Sequence, residues 1–170
     1  MRVKSTIALF ITTLIVTACS RMENESSMHV HTHGKNHGLV VPISTNGEPI
    51  GFAELKLHDD KGDLELWLTT DAEGNDPLDL PLDTGIEVAF PDLDNKTVEL
   101  RIRNDRQNED ENGNATLRNG TTNYFIFPGE TGVDASFLKG PEFSSTVVIS
   151  FETEQGQVQT APFELSPHVH

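Results

Sequence analysis

Beyond residue 38 nearly every periodic stretch of the chain alternates between apolar and polar positions with period two, and no long stretch fits a helical repeat of 3.6. Residues 39–43 form a short apolar strand that ends at Ser44-Thr45-Asn46-Gly47. Ala53, Leu55 and Leu57 then alternate with Glu54, Lys56 and His58. After the turn Asp59-Asp60-Lys61-Gly62, Leu64, Leu66 and Leu68 alternate with Glu65 and Trp67. Together they predict a hairpin with its leucines on the core and its polar residues toward solvent.

Residues 71–85 read as a loop rich in Asp, Gly and Pro, with Leu78, Leu80 and Leu82 turned inward. Ile86, Val88 and Phe90 predict a third alternating strand, and Val98, Leu100 and Ile102 a fourth with Glu99, Arg101 and Arg103 outside. The polar, acidic stretch 104–114 predicts a long exposed loop, followed by a short edge strand over 116–118. Residues 124–127 make a compact apolar strand, and 131–142 fit a short strand or a helical turn equally well. A closing hairpin over 146–151 and 157–165 turns at Glu154-Gln155-Gly156. Eight or nine short strands divided by Gly, Pro and Asn turns predict an all-β fold. The expected architecture is an antiparallel β-sandwich, immunoglobulin-like in layout, with a small β-barrel as the alternative.

The beginning of the chain belongs to targeting rather than to that fold. Arg2 and Lys4 precede an apolar run over 7–16, too short to span a bilayer as a helix, and the run leads to Val16-Thr17-Ala18-Cys19. This stretch resembles the bacterial lipobox, in which the signal is cut before a cysteine that then carries lipid. The resemblance implies a lipoprotein signal peptide over 1–18, lipidation at Cys19 and a flexible, lipid-anchored tether over 19–28. A single domain follows over 29–170, about 150 residues with the tether and enough for a real core. Cys19 is the only cysteine, so its lipidation leaves no disulfide and no thiolate ligand. Ser20 follows the cysteine where lipoproteins retained in the inner membrane often carry Asp. The expected location is therefore the cell envelope, at the outer membrane facing the periplasm, or the cell surface in a Gram-positive host.

Charge narrows the partners. The formal charge is -15, and losing Arg2 and Lys4 takes it to -17. Such acidity disfavours nucleic acid and anionic membrane surfaces and is compatible with cations.

The candidate chemistry lies in the histidines. Four of the seven fall in Met28-His29-Val30-His31-Thr32-His33-Gly34-Lys35-Asn36-His37-Gly38, and His168 and His170 close the chain. Neutral imidazole is the commonest protein ligand for transition metals. In an extended segment His29, His31 and His33 point to one side and present three nitrogens to one ion. Domain ends commonly lie close together, which would let His29, His31, His33 and His37 meet His168 and His170 around zinc or copper, with nickel a further candidate. Met28 adds a thioether of interest only for copper(I). His58, beside Asp59 and Asp60, is an accessory ligand or an exposed turn histidine. Asn108-Glu109-Asp110-Glu111-Asn112-Gly113 has the alternating oxygens of a calcium loop, but Asn108 and Asn119 stand where that loop carries Asp and Glu. A solvated loop is the expectation there, as it is for Asp71, Glu73 and Asp76. There is no Gly-x-Ser-x-Gly elbow, phosphate loop, HExxH or cysteine nucleophile, and an enzyme is not expected.

The His29–His37 cluster before Gly38, the Ala53-Glu54-Leu55 strand leading to His58-Asp59-Asp60-Lys61-Gly62, and Phe163 followed by His168 and His170 carry a further resemblance. They are similar to small, His-rich bacterial envelope lipoproteins, largely uncharacterised, whose β-rich domain is flanked by His clusters. Many of those carry a histidine near the start of the Ala-Glu-Leu strand, where Phe52 stands here. The resemblance implies metal handling: buffering a divalent ion, or delivering it to an envelope transport or efflux system. A different function also suits the sequence, a sandwich module binding protein or glycan on a face near Trp67 and the 104–114 loop.

Overall fold

The computed structural model describes residues 32–129 and 132–168. The signal segment, the tether with Cys19 and Met28, and His29, His31 and His170 lie outside the described residues.

The described chain is all-β. Its strands are β1 (Thr32–His33), β2 (Leu39–Thr45), β3 (Glu48–His58), β4 (Asp63–Thr69), β5 (Leu80–Pro81), β6 (Ile86–Phe90) and β7 (Lys96–Leu100). They continue with β8 (Leu117–Arg118), β9 (Thr121–Thr122), β10 (Tyr124–Phe127), β11 (Ser145–Thr153), β12 (Gly156–Thr160) and β13 (Phe163–Leu165). Eight of them form one antiparallel path in the order β10-β4-β3-β2-β12-β11-β6-β7. Just past β7, Arg101 pairs with Ile126 of β10 through reciprocal amide–carbonyl bonds of 3.0 and 2.8 Å. The sheet thus curls until its two ends touch. Of the two architectures expected, this is the barrel, nearly closed, and closure removes the sheet edges that an open sheet would leave unpaired.

The inward residues of all eight strands form one core, in which Ile43, Leu55, Leu57, Leu64, Leu66, Phe90, Leu100, Phe125 and Ile149 are fully or almost fully buried. The β3–β4 hairpin turns at 59–62 as expected, with Lys56 opposite Glu65 and Glu54 opposite Trp67. The residues 157–165 are two strands instead of one. Pro162, which lacks an N–H, lies between β12 and β13, and the chain turns there so that Phe163 and Leu165 re-pair with the start of β11. In the 131–142 region a single turn of 3-10 helix (Ser136–Leu138) sends Leu138 into the core.

One expectation is overturned. The polar face of the β3–β4 hairpin is not solvated: Glu54, Lys56 and Glu65 are each below 5% exposed. The 104–114 segment is exposed over most of its length, as expected, but is anchored at Asn108 and Asp110. Asn108 is fully buried, its Oδ1 accepting from the Arg103 amide at 2.9 Å and its Nδ2 donating toward Tyr124 O and Thr116 Oγ1 at 2.9 and 3.0 Å. Asp110 accepts from the amides of Asn112 and Asn114 at 2.9 and 2.8 Å, an Asx turn that closes the tip on itself. These bonds engage Asn108 Oδ1 and both carboxylate oxygens of Asp110, at two of the positions a calcium loop would use. The segment folds over the outside of β3, β4 and β10, where Trp67, Tyr124 and Ile126 form a second, smaller apolar cluster. Trp67 is only 5% exposed and gives no aromatic patch to a partner.

Candidate metal centre

The outer face of β3 carries Glu54, Lys56 and His58 in a row, and each is engaged by a different part of the chain. Glu54 holds the first histidine turn. Its carboxylate accepts from the Asn36 amide at 2.7 Å, the Gly38 amide at 3.0 Å and the Asn36 side-chain Nδ2 at 2.9 Å. The turn itself closes through Gly34 N–H to Gly38 C=O at 2.9 Å, with His37 in the left-handed region at φ 66°. It lies so tightly on the sheet that a Cβ on Gly34 would sit 2.4 Å from the Glu54 carboxyl, and one on Gly38 2.8 Å from the Leu55 carbonyl. Glycine is required at both positions for that approach.

The other end of the chain arrives at the same place. The His168 amide donates to the Leu57 carbonyl at 3.1 Å, so the last described residues run along β3 where β2 no longer covers it. The His37 and His168 rings stack with centroids 5.4 Å apart and planes 24° from parallel. His33, His37 and His168 line a void of about 20 Å³ with Lys56 and Pro167. The two His ends are therefore neighbours within the described residues, with His33 exposed beside them.

His58 stands apart from this group. Its Nε2 lies 2.9 Å from Glu65 Oε2 and 3.5 Å from Glu111 Oε2. Its side chain is 18% exposed, so it is not the solvated turn histidine that its neighbours Asp59 and Asp60 suggest. Glu65 Oε1 accepts from the Tyr124 hydroxyl, and Glu111 Oε1 accepts from Lys56 Nζ at 2.5 Å. Arg103 approaches Glu65 Oε1 at 3.9 Å from a half-exposed position. Among the described residues this is the one group in which three His, Asp or Glu ligand atoms all lie within 4.8 Å of one another. It opens onto a cavity of about 560 Å³ whose wall includes Lys61, Asp63, Ile126 and Pro128.

The electrostatics follow from these contacts. The hydrogen bond to Glu65 raises the His58 pKa above its ordinary 6.5, against the opposing effect of burial. Burial pushes Glu65 upward, but the bonds from His58 and Tyr124 outweigh it and hold the carboxyl below its usual value. Burial, and then the bond to Glu65, push the Tyr124 hydroxyl well above the ordinary tyrosine range, so it stays protonated and donates.

Sequence reasoning passed over Glu65 and Glu111. The first was legible: the four-residue turn at 59–62 sets Lys56 opposite Glu65 and leaves His58 diagonal to it. Nothing local marks Glu111, which reaches the cluster only because Asn108 and Asp110 shape its loop. No protein-family model matches this chain, and no curated protein or solved structure matches it either.

Proposed function

We propose that the protein is a lipid-anchored envelope protein, held to the membrane through Cys19, that binds a divalent transition metal through its two His-rich ends. Zinc and copper are the favoured ions. Its role is to buffer the ion or pass it to an envelope transport or efflux system, without catalysis. One observation carries the reading: His37 and His168, from opposite ends of the chain, lie ring over ring at 5.4 Å with His33 on the same void. Glu54 fixes the turn that presents His37, which lowers the ordering cost of binding. His29, His31 and His170 follow in sequence on either side and would complete a set of nitrogen donors.

The test is calorimetric titration of the full-length chain, kept in detergent, with zinc and with copper at about pH 7.5 and about pH 5.5. A tight stoichiometric site that weakens at the lower pH, and that the double variant His37→Ala/His168→Ala loses, is the expected result. Unchanged affinity in that variant would reject the joined ends as ligands.

A further inference from the structure

We infer that His58, Glu65 and Glu111 form a second metal site, independent of the terminal histidines, that takes a zinc-like divalent cation with one coordination position left open to the cavity. Three observations converge on it. The first is spacing. Ligands about 2.0–2.1 Å from a tetrahedral zinc stand about 3.3 Å apart, and the 2.9 and 3.5 Å separations from His58 Nε2 bracket that value. The ligand atoms of all three residues lie within 4.8 Å of one another.

The second is the division of labour within each carboxylate. Glu65 turns Oε2 to the imidazole and gives Oε1 to the Tyr124 hydroxyl. Glu111 likewise turns Oε2 to the imidazole and gives Oε1 to Lys56 Nζ. One oxygen of each is thus presented at the centre while the other is held from behind. Metal-binding carboxylates are commonly oriented in this way by outer hydrogen bonds. Lys56 and Arg103 leave one net negative charge or less on the two carboxylates, so Lys56 serves as the internal counter-cation that orients Glu111.

The third is rigidity with access. His58 and Glu65 are on paired strands. Glu111 is at the tip of a small hairpin closed by the Glu109–Ala115 bridge, with the Asp110 side chain bonded to the amides of Asn112 and Asn114 and Asn108 seated beneath it. The three donors come from two rigid elements, and the remaining side faces about 560 Å³ of open volume. One imidazole and two carboxylates suit zinc better than copper(I), which favours softer sulfur ligands, or magnesium, which favours all-oxygen sites. A fourth ligand, water or a small donor brought by a partner, completes the tetrahedron. That open position suits an ion held for exchange.

The experiment starts from a full-length chain in which His29, His31, His33, His37, His168 and His170 are all replaced by Ala, which removes every terminal imidazole and leaves His58 as the one histidine. Cobalt(II) is added as a spectroscopic substitute and then displaced by zinc, with zinc content checked after dialysis. Visible bands of four-coordinate cobalt, bleached by one equivalent of zinc, are expected. Introducing Glu111→Gln, a surface-loop change that leaves the barrel intact, should weaken zinc binding at least about tenfold, and Tyr124→Phe should weaken it about tenfold through Glu65. The same weakening by His58→Ala completes the ligand set. If the starting variant takes up no cobalt, or if Glu111→Gln and His58→Ala bind zinc like their parent, the second site does not exist. Either result leaves the terminal site to be judged by its own titration.

Discussion

The hairpin of β3 and β4 and that of β6 and β7 are written in the same alternating code, yet their outer faces end in opposite environments. On β6–β7, Glu87, Lys96 and Glu99 are exposed, and the Glu99–Arg101 pair is about half exposed on both sides. On β3–β4 the equivalent positions hold Glu54, Lys56, Glu65 and Trp67, all buried. Alternation states which side chains share a face. It does not state what covers that face. The 104–114 segment, the 34–38 turn and residues 167–168 lie over one hairpin while the other is left to water, so polar residues of the same types become solvated charges in one place and a fixed ion network in the other.

This contrast can be broken most strongly at its apolar support. Trp67→Ala removes the ring that packs on Tyr124 at 5.1 Å, and should destabilise the protein by about 3–5 kcal/mol in urea unfolding. A cost near that of a surface change would mean the face is open in solution. Asn108→Ala should cost about 1–3 kcal/mol, because it leaves the buried partners of one amide unsatisfied. It should also raise amide exchange across 104–114 while the β6–β7 amides stay protected. Uniform protection would show that Asn108 does not seat the loop.

A smaller effect sharpens the electrostatic side of the comparison in metal-free protein. The folded-state pKa of His58 is raised, so its contribution to stability is complete below the ordinary 6.5 and is lost as pH rises through the raised value. That of Glu65 is lowered, so its contribution is present above the ordinary 4.5 and is lost as pH falls through the lowered value. The stability gap between the parent and Glu65→Gln should therefore be widest between about pH 4.5 and about pH 6.5 and shrink on both sides. By NMR the His58 titration should fall toward 6.5 in Glu65→Gln, and an unmoved midpoint would remove the coupling. Least of all, Glu99→Ala on the open hairpin should change stability by no more than about 0.5 kcal/mol, since exposed pairs contribute little.

Taken alone, the sequence determined the all-β class, the places of most of the longer strands from 39 onward, the hairpin turn at 59–62 and the faces of its leucines. These follow from local rules, namely a side-chain period of two and turns that need Gly, Asn or Pro. The histidines, too, were visible as candidate metal ligands, and their gathering at both ends suggested a meeting. Tertiary structure decided the rest. It closed the sheet into a barrel through the Arg101–Ile126 bridge, laid the 34–38 turn on Glu54, and brought Glu111 to His58 and Glu65. Each of these joins residues far apart in the chain, and whether a polar side chain meets water or another charge depends on such contacts, for which period and composition carry no signal.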